Sequence, residues 1–133
     1  TLDTTRDRPV IISMLKKIIN NEDVRAYNLN KKFNNVLDAR EIVKFIKVIL
    51  KKKIKSEIYN FSGSRPIKFI HVINLIKKIF NSQSKIINEN SKKNSFVISN
   101  KKIRKHFDFE ISTTKKIINR CCKKILAQKY KFA

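Results

Sequence analysis

Two stretches of the chain decide the fold: residues 33–43 read FNNVLDAREIV and residues 58–67 read IYNFSGSRPI. In each, a short apolar run ends in polar or turn-forming residues, and an amphipathic helical pattern follows. Asp38 stands where a helix N-cap acceptor is needed, and Glu41 follows it at capping-box spacing. The two stretches therefore predict two consecutive strand–helix units, with Val36–Leu37 and Glu57–Phe61 as the strands.

The same alternation continues on both sides of these stretches. We predict helices over about residues 10–20, after Ile67, from Ser99 to His106 and from Ser112 to about Gln128, with further short strands at Val24–Tyr27 and Lys85–Ile87. The turn after Tyr27 contains Asn28, a residue that tolerates a left-handed backbone. The pattern indicates an α/β fold of short strands and about five helices.

Apolar spacing predicts which face of each long helix is buried. The predicted buried positions are Ile42, Ile46 and Ile49/Leu50 in the helix after Asp38, Val72/Ile73, Ile76 and Ile79/Phe80 in the helix after Ile67, and Ile117/Ile118, Cys121 and Ile125 in the last helix.

The length of 133 residues and 41% apolar content suit one domain with its own core. Apolar runs such as residues 10–12 are far shorter than the roughly 20 residues that cross a bilayer, and the N-terminus has no apolar signal segment. The adjacent Cys121 and Cys122 suit neither a long-loop disulfide nor a paired metal site. We expect one of them to lie in or at the core, no membrane partner, and a cytoplasmic location.

The net charge of +22 has two competing explanations. A basic protein attracts polyanions, so a nucleic-acid-binding module is the alternative function. However, Ile, Asn and Lys dominate the chain together, which a bias toward A/T-rich codons would also produce. The lysines are spread over every predicted helix, and most aromatic residues lie on apolar stripes, so we expect only weak, sequence-blind binding to nucleic acid.

No arrangement of residues in the sequence predicts catalysis or a metal site. His71 and His106 are each isolated, without a Cys, Asp or Glu at ligand spacing, which indicates surface or helix-cap roles. No Ser-His-Asp, Cys-His or phosphate-loop pattern is present. The sequence therefore gives no catalytic residues and no metal ligands.

Three motifs resemble the extended short-chain dehydrogenase/reductases, the NAD-dependent epimerase/dehydratase family. The strand running into a helix at Asp38 resembles the family's His/Tyr-x-Asp-Asp segment, and Tyr59–Ile67 resembles its Tyr-Asn-x-Gly-x-x-x-Pro-Ile-like segment. Ser99–Phe109 resembles its Asp-x-x-Lys-x-x-x-x-Leu-Gly-Phe segment, with Lys102 in the corresponding place. The resemblance is to the C-terminal half of the family, from about Arg8 to about Ala127, with residues 128–133 as a tail.

This resemblance implies that residues 1–133 form a single substrate-binding subdomain of a nucleotide-sugar epimerase, dehydratase or reductase. The parent protein would use NAD or NADP, and the resemblance allows a homodimer. The family's Gly-x-x-Gly-x-x-Gly turn is absent because Gly63 is the only glycine. Tyr27 and Lys31 match the spacing of the family's Tyr-x-x-x-Lys pair but lie in the wrong segment. We therefore expect the N-terminal cofactor-binding domain to be missing, and the fragment to bind no cofactor, to be inactive alone and to expose an apolar patch.

The resemblance also implies candidate substrate-binding residues. In the family, the strand that matches Val24–Tyr27 lines the nucleotide base, which implicates Arg25 and Tyr27. Asn34 occupies the position of an Arg that holds the diphosphate in the family. Lys92 and Lys93 are cations near the position of a second phosphate-binding Arg.

Overall fold

The computed structural model describes residues 10–52, 56–90 and 94–128. Its elements in chain order are α1 (Val10–Ile19), β1 (Val24–Ala26), β2 (Lys32–Phe33), α2 (Ala39–Leu50), β3 (Ile67–Lys68), α3 (Phe69–Phe80), β4 (Ile86–Asn88), α4 (Lys101–His106) and α5 (Thr114–Ala127). The prediction of an α/β fold with five helices and a few short strands is thus confirmed.

The strands form two small sheets. β1 pairs in parallel with β4, with Val24 opposite Ile86 and Ala26 opposite Asn88. β2 pairs antiparallel with β3, and α3 follows β3 without a loop. Asn28, in the turn after β1, has a φ of 57°, in the left-handed region that its residue type tolerates.

Two segments predicted as strands, Val36–Leu37 and Glu57–Phe61, belong to neither sheet among the described residues. The strand expected at Val36–Leu37 instead lies earlier, at β2. An alternating sequence favours extended backbone, but a strand forms only where a neighbouring strand supplies hydrogen bonds. These two predictions were wrong.

The larger core lies between α1, α3, α5 and β1. Ile18, Val72, Ile73 and Ile76 are fully buried in it, which confirms the predicted inner face of α3. In α5, Ile117, Ile118 and Ile125 are buried as predicted, but Cys122 takes the place expected for Cys121, which is exposed. Cys122 continues the spacing from Ile118, whereas Cys121 lies about 100° around the helix. Burial raises the pKa of the Cys122 thiol to about 12.

A smaller, aromatic core packs around Phe45 of α2. Its ring lies 5.1 Å from that of Phe107 and 5.2 Å from that of Phe61, measured between centroids. Ile103 and Ile111 complete the buried set. These edge-on ring contacts fix α2 against α4 and the segment that carries Tyr59 and Phe61.

The predicted inner face of α2 was wrong. Ile42, Ile46 and Leu50 are 40%, 48% and 79% exposed, whereas Glu41 is 1% exposed. Only Ile49 of the predicted set is partly buried, against the aromatic core. Periodicity cannot show which of two apolar faces of a helix is buried. Here Phe45 and the hydrogen-bonded carboxylate of Glu41 decide which face turns inward.

Polar contacts at the start of α2 join it to α5. Asp38 caps the helix as predicted, accepting a hydrogen bond from the Arg40 amide at 2.9 Å. Glu41 does not complete a capping box: its carboxylate accepts from the Ser112 hydroxyl at 2.7 Å and from the Arg120 guanidinium at 3.1 Å. Arg120 also lies 2.9 Å from Asp38. Burial alone would raise the pKa of Glu41, but the hydrogen bonds from Ser112 and Arg120 lower it below its usual value.

Gly63 lies so close to α5 that there is no room for a side chain at this position. A Cβ at this position would lie 2.7 Å from Thr114 Oγ1 and 3.0 Å from Thr114 Cα. The Cα is backbone and cannot swing aside, so we expect Gly63→Ala to destabilise the fold by about 2 kcal/mol through overpacking. Urea denaturation measures this. An unchanged midpoint would mean that the Gly63 turn and α5 are further apart.

Glu41 should make the fold sensitive to acid. Because its folded pKa lies below the ordinary value of 4.5, its stabilisation is present above that value and is lost as the pH falls through the folded pKa. We expect Glu41→Gln to cost about 2 kcal/mol at neutral pH, since it removes hydrogen bonds to a charged group. Denaturation at pH 7 and at about pH 4 should show a smaller pH dependence for the variant than for the wild type. Equal dependences would contradict this assignment.

Candidate functional site

The parallel pairing of β1 with β4 creates the candidate binding edge. The carboxyl ends of parallel strands lie at the same side of a sheet, where α/β proteins bind ligands. Tyr27 follows β1 and Glu89 follows β4 at this edge, and the Glu89 amide donates to the Ala26 carbonyl at 2.8 Å. Residues far apart in sequence are thus brought together at one place.

Arg25 lies on β1 with its side chain 67% exposed. Its guanidinium is 3.6 Å from the Glu89 carboxylate, which is itself 44% exposed. Such an exposed ion pair contributes little to stability, so the guanidinium can exchange this partner for another anion at small cost. Tyr27, two residues on, is half-buried.

Of the other three candidate residues, the structure describes only Asn34. Lys92 and Lys93 fall outside the described residues, although they follow Glu89 by three and four positions. Asn34 is described, and it lies in the interior with 1% exposure. The structure therefore brings Arg25 and Tyr27 to one edge and places Asn34 inside the protein.

The side chain of Asn34 holds three segments together. Its Nδ2 lies within 3.0 Å of the Ser62 hydroxyl and of the carbonyls of Gly63 and Ile98, while its Oδ1 accepts from the Ile98 amide at 2.9 Å. Both ends of the carboxamide are thus hydrogen-bonded to protein groups. Its neighbour Asn35 is exposed.

Asn100 makes a second, reciprocal contact with the same turn. Its Oδ1 accepts from the Ser62 amide at 3.1 Å, and its Nδ2 donates to the Ser62 carbonyl at 2.8 Å. We call Asn34, Ser62, Gly63, Ile98 and Asn100 together the asparagine bracket. Asn100 stands at the N-cap position of α4, yet its side chain makes no cap hydrogen bond. Nothing in the local sequence signals a contact with a turn 38 residues away.

The histidines and nearby charges lie elsewhere on the surface. His71 is exposed, and His106 Nδ1 is 3.0 Å from the Tyr59 hydroxyl. Lys102 pairs with Glu57 and lies 5.1 Å from the centroid of the Tyr59 ring. Over the described ranges, no group of three or more His, Cys, Asp or Glu residues could hold a metal ion.

None of the helices in the described part of the chain has the length and apolar content needed to cross a membrane.

The asparagine bracket can be tested by an isosteric change. Asn34→Asp removes the donors that satisfy the buried carbonyl of Gly63 and the partly buried carbonyl of Ile98, so we expect a loss of about 3 kcal/mol at neutral pH. The loss relative to wild type should be smaller at about pH 4, where a protonated carboxyl can again donate. Urea denaturation at both pH values measures this, with Asn35→Asp as the control. Equal effects of the two substitutions would contradict a bracketing role.

Comparison with known proteins gives no match to a family model and none to a curated protein. Solved structures do match. RMD from Pseudomonas aeruginosa, complexed with NADPH, is 14% identical to this chain with a TM-score of 0.69. The match covers 93% of this chain and 44% of the RMD chain. The dTDP-glucose 4,6-dehydratase of Bacillus anthracis, in complex with NAD, is 16% identical with a TM-score of 0.67, covering 91% and 40%.

The UDP-glucose 4-epimerase of Thermotoga maritima, with UDP-glucose, is 12% identical with a TM-score of 0.72, covering 96% of this chain and 42% of its own. These structures are NAD-dependent epimerase/dehydratase-family enzymes, and this chain spans well under half of each. At such identities the match concerns the fold alone. The chain therefore has the fold of one part of these Rossmann-type enzymes.

Proposed function

We propose that this chain is the substrate-binding part of an NAD(P)-dependent nucleotide-sugar epimerase, dehydratase or reductase. The observation that carries the proposal is the fold match to part of three such enzymes, two of them named for nucleotide sugars. The β1–β4 edge is where we propose that the nucleotide binds. Which sugar the enzyme converts is left to experiment.

Arg25 is the proposed contact for the diphosphate. A guanidinium is planar and can donate two parallel hydrogen bonds to phosphate oxygens. Its current partner, Glu89, holds it at 3.6 Å with both side chains largely open to water. A diphosphate carries more charge than one carboxylate and offers more acceptors, so it can replace Glu89 at this guanidinium.

The remaining candidates have supporting roles in this proposal. Tyr27 offers a half-buried ring beside Arg25 for contact with the base. Lys92 and Lys93, which follow β4 in the sequence, would add positive charge that favours phosphate binding. Asn34 would act from the interior, because its side chain joins the turn at Ser62 to the backbone of Ile98.

Hydride transfer would come from the cofactor-binding part of such an enzyme. That part would supply the glycine-rich turn for NAD or NADP and the catalytic residues. This chain would select and orient the nucleotide sugar, and alone it would bind substrate without turnover.

Binding of UDP-glucose tests the proposal. We expect Arg25→Ala to weaken binding about 10-fold or more, because the substitution removes a charge-assisted hydrogen bond. Arg104→Ala, which removes the same charge from an exposed site on α4, should leave affinity unchanged. Isothermal titration of the purified chain measures both affinities.

Two results would contradict the proposal. Equal losses for the two arginine variants would mean that charge alone attracts the ligand, as the rival nucleic-acid-binding function predicts. No detectable binding of either UDP-glucose or dTDP-glucose by the wild-type chain would remove the proposed function altogether.

A further inference from the structure

The outer side of α5 carries a row of cations. Lys116, Arg120 and Lys124 follow one another at a spacing of four residues, which places them on one side of the helix. Lys123 follows Arg120 by three residues and lies on the same side. The three lysines are exposed, and α5 contains no Asp or Glu. This side of α5 is therefore uniformly basic.

The first turn of α2 adds Arg40 to this surface. Arg120 lies 2.9 Å from the carboxylate of Asp38, and Arg40 lies 3.0 Å from the same carboxylate. Burial raises the pKa of the nearby Cys121 thiol, as does the charge of Asp38. Lys124 and Arg40 act in the opposite direction, so cations of both helices lie near this thiol. We use the name α5 basic face for five residues: Arg40, Lys116, Arg120, Lys123 and Lys124.

Only two carboxylates balance these five cations in the described part of the chain. Asp38 pairs with Arg40 and Arg120, and the buried Glu41 pairs with Arg120. Within the same described ranges, none of the three lysines of the face lies at ion-pair distance from a carboxylate. The face thus keeps an excess of positive charge, which an anionic partner would complement.

The cations of α4 lie among more negative charge. Lys102 is paired with Glu57, and Asp108 and Glu110 follow α4 directly in the sequence. The sequence spreads lysines over every helix, but folding joins those of α5 to the start of α2 without adding a free carboxylate. Tertiary structure therefore distinguishes the α5 basic face from the other basic helices.

The absence of aromatic residues indicates which polyanion fits. α5 contains no Phe, Tyr or Trp, and Phe45 of α2 is buried. Binding to single strands relies on bases that stack on exposed rings, so this face suits a duplex, whose bases already stack on one another. The major groove of B-form DNA admits one side of an α-helix, whereas that of A-form RNA is too narrow for side chains to read. Double-stranded DNA is the polyanion that matches both properties.

We infer that the α5 basic face binds the phosphate backbone of double-stranded DNA without reading its sequence. Lysine and arginine side chains bind phosphate oxygens and release counterions, and this contact is the same at every base pair. The face contains none of the residues proposed to bind the nucleotide sugar. The inference therefore goes beyond the proposed function and does not depend on it.

Neutralising the three lysines tests the site. The variant Lys116→Gln/Lys123→Gln/Lys124→Gln should bind a mixed-sequence DNA duplex at least about tenfold more weakly than wild type, because three phosphate contacts are lost. The slope of log Kd against log salt concentration should fall by about three. Fluorescence anisotropy of a labelled duplex, titrated at about 50 and about 200 mM salt, measures both quantities.

The matched control removes the same charge from α4. Lys101→Gln/Arg104→Gln/Lys105→Gln substitutes three exposed cations and should retain most of the affinity for DNA. Both triple variants should melt close to wild type, because the substituted side chains are exposed. Equal losses of affinity would overturn the inference, since the net charge of +22 alone would then attract DNA. An absence of duplex binding by the wild-type chain would overturn it as well.

Protection of Cys121 gives an independent measurement on the wild-type chain. Its exposed thiol lies near Arg40 and Lys124, whereas Cys122 is buried. Saturating duplex should slow maleimide labelling of Cys121 severalfold, followed by tandem mass spectrometry. A cysteine introduced by Lys105→Cys on α4 should label at the same rate with and without DNA. Unchanged labelling of Cys121 in the presence of bound duplex would place the DNA elsewhere and overturn the inference.

Other polyanions test the choice of partner. At the same salt concentration, we expect weaker binding to single-stranded DNA, to an RNA duplex and to phosphatidylserine vesicles than to the DNA duplex. Binding to any of these three that is as tight as binding to the DNA duplex would overturn the assignment to double-stranded DNA.

Discussion

The buried carboxamide of Asn34 is the constraint on which the arrangement of the chain depends. It lies immediately after β2 and binds both the turn at Ser62–Gly63 and the backbone of Ile98. A buried amide tolerates no missing partner, because each unpaired group costs about 1–3 kcal/mol. The three segments must therefore assemble together, and their position fixes the start of α2, the entry to α3 and the approach to α4.

A second polar group decides the orientation of α2. The carboxylate of Glu41 is buried because Ser112 and Arg120 satisfy it from the start of α5. With Glu41 and Phe45 facing inward, the aliphatic residues on the other side of the helix must face outward. The exposure of Ile42, Val43, Ile46 and Leu50 thus follows from the inward orientation of Glu41 and Phe45.

The proposed binding edge has a different origin, the pairing of two strands that lie far apart in the sequence. Parallel pairing of β1 with β4 gathers Arg25 and the start of the loop after Asn88 at one edge. Val36–Leu37 and Glu57–Phe61, on either side of α2, have strand-like sequences but belong to neither sheet in the described part of the chain.

The sequence by itself determined the α/β class, the approximate positions of the five helices, the cap at Asp38 and the inner face of α3, because these depend on local periodicity and on residue types. It also predicted the short strand that carries Arg25 and is followed by Tyr27. Only the tertiary structure decided that Glu41 is buried, that Cys122 replaces Cys121 in the core, and that Asn34 and Asn100 bind the Gly63 turn. Each of these depends on a partner that lies at least 28 residues away in the chain or on another element, and local periodicity carries no information about such partners.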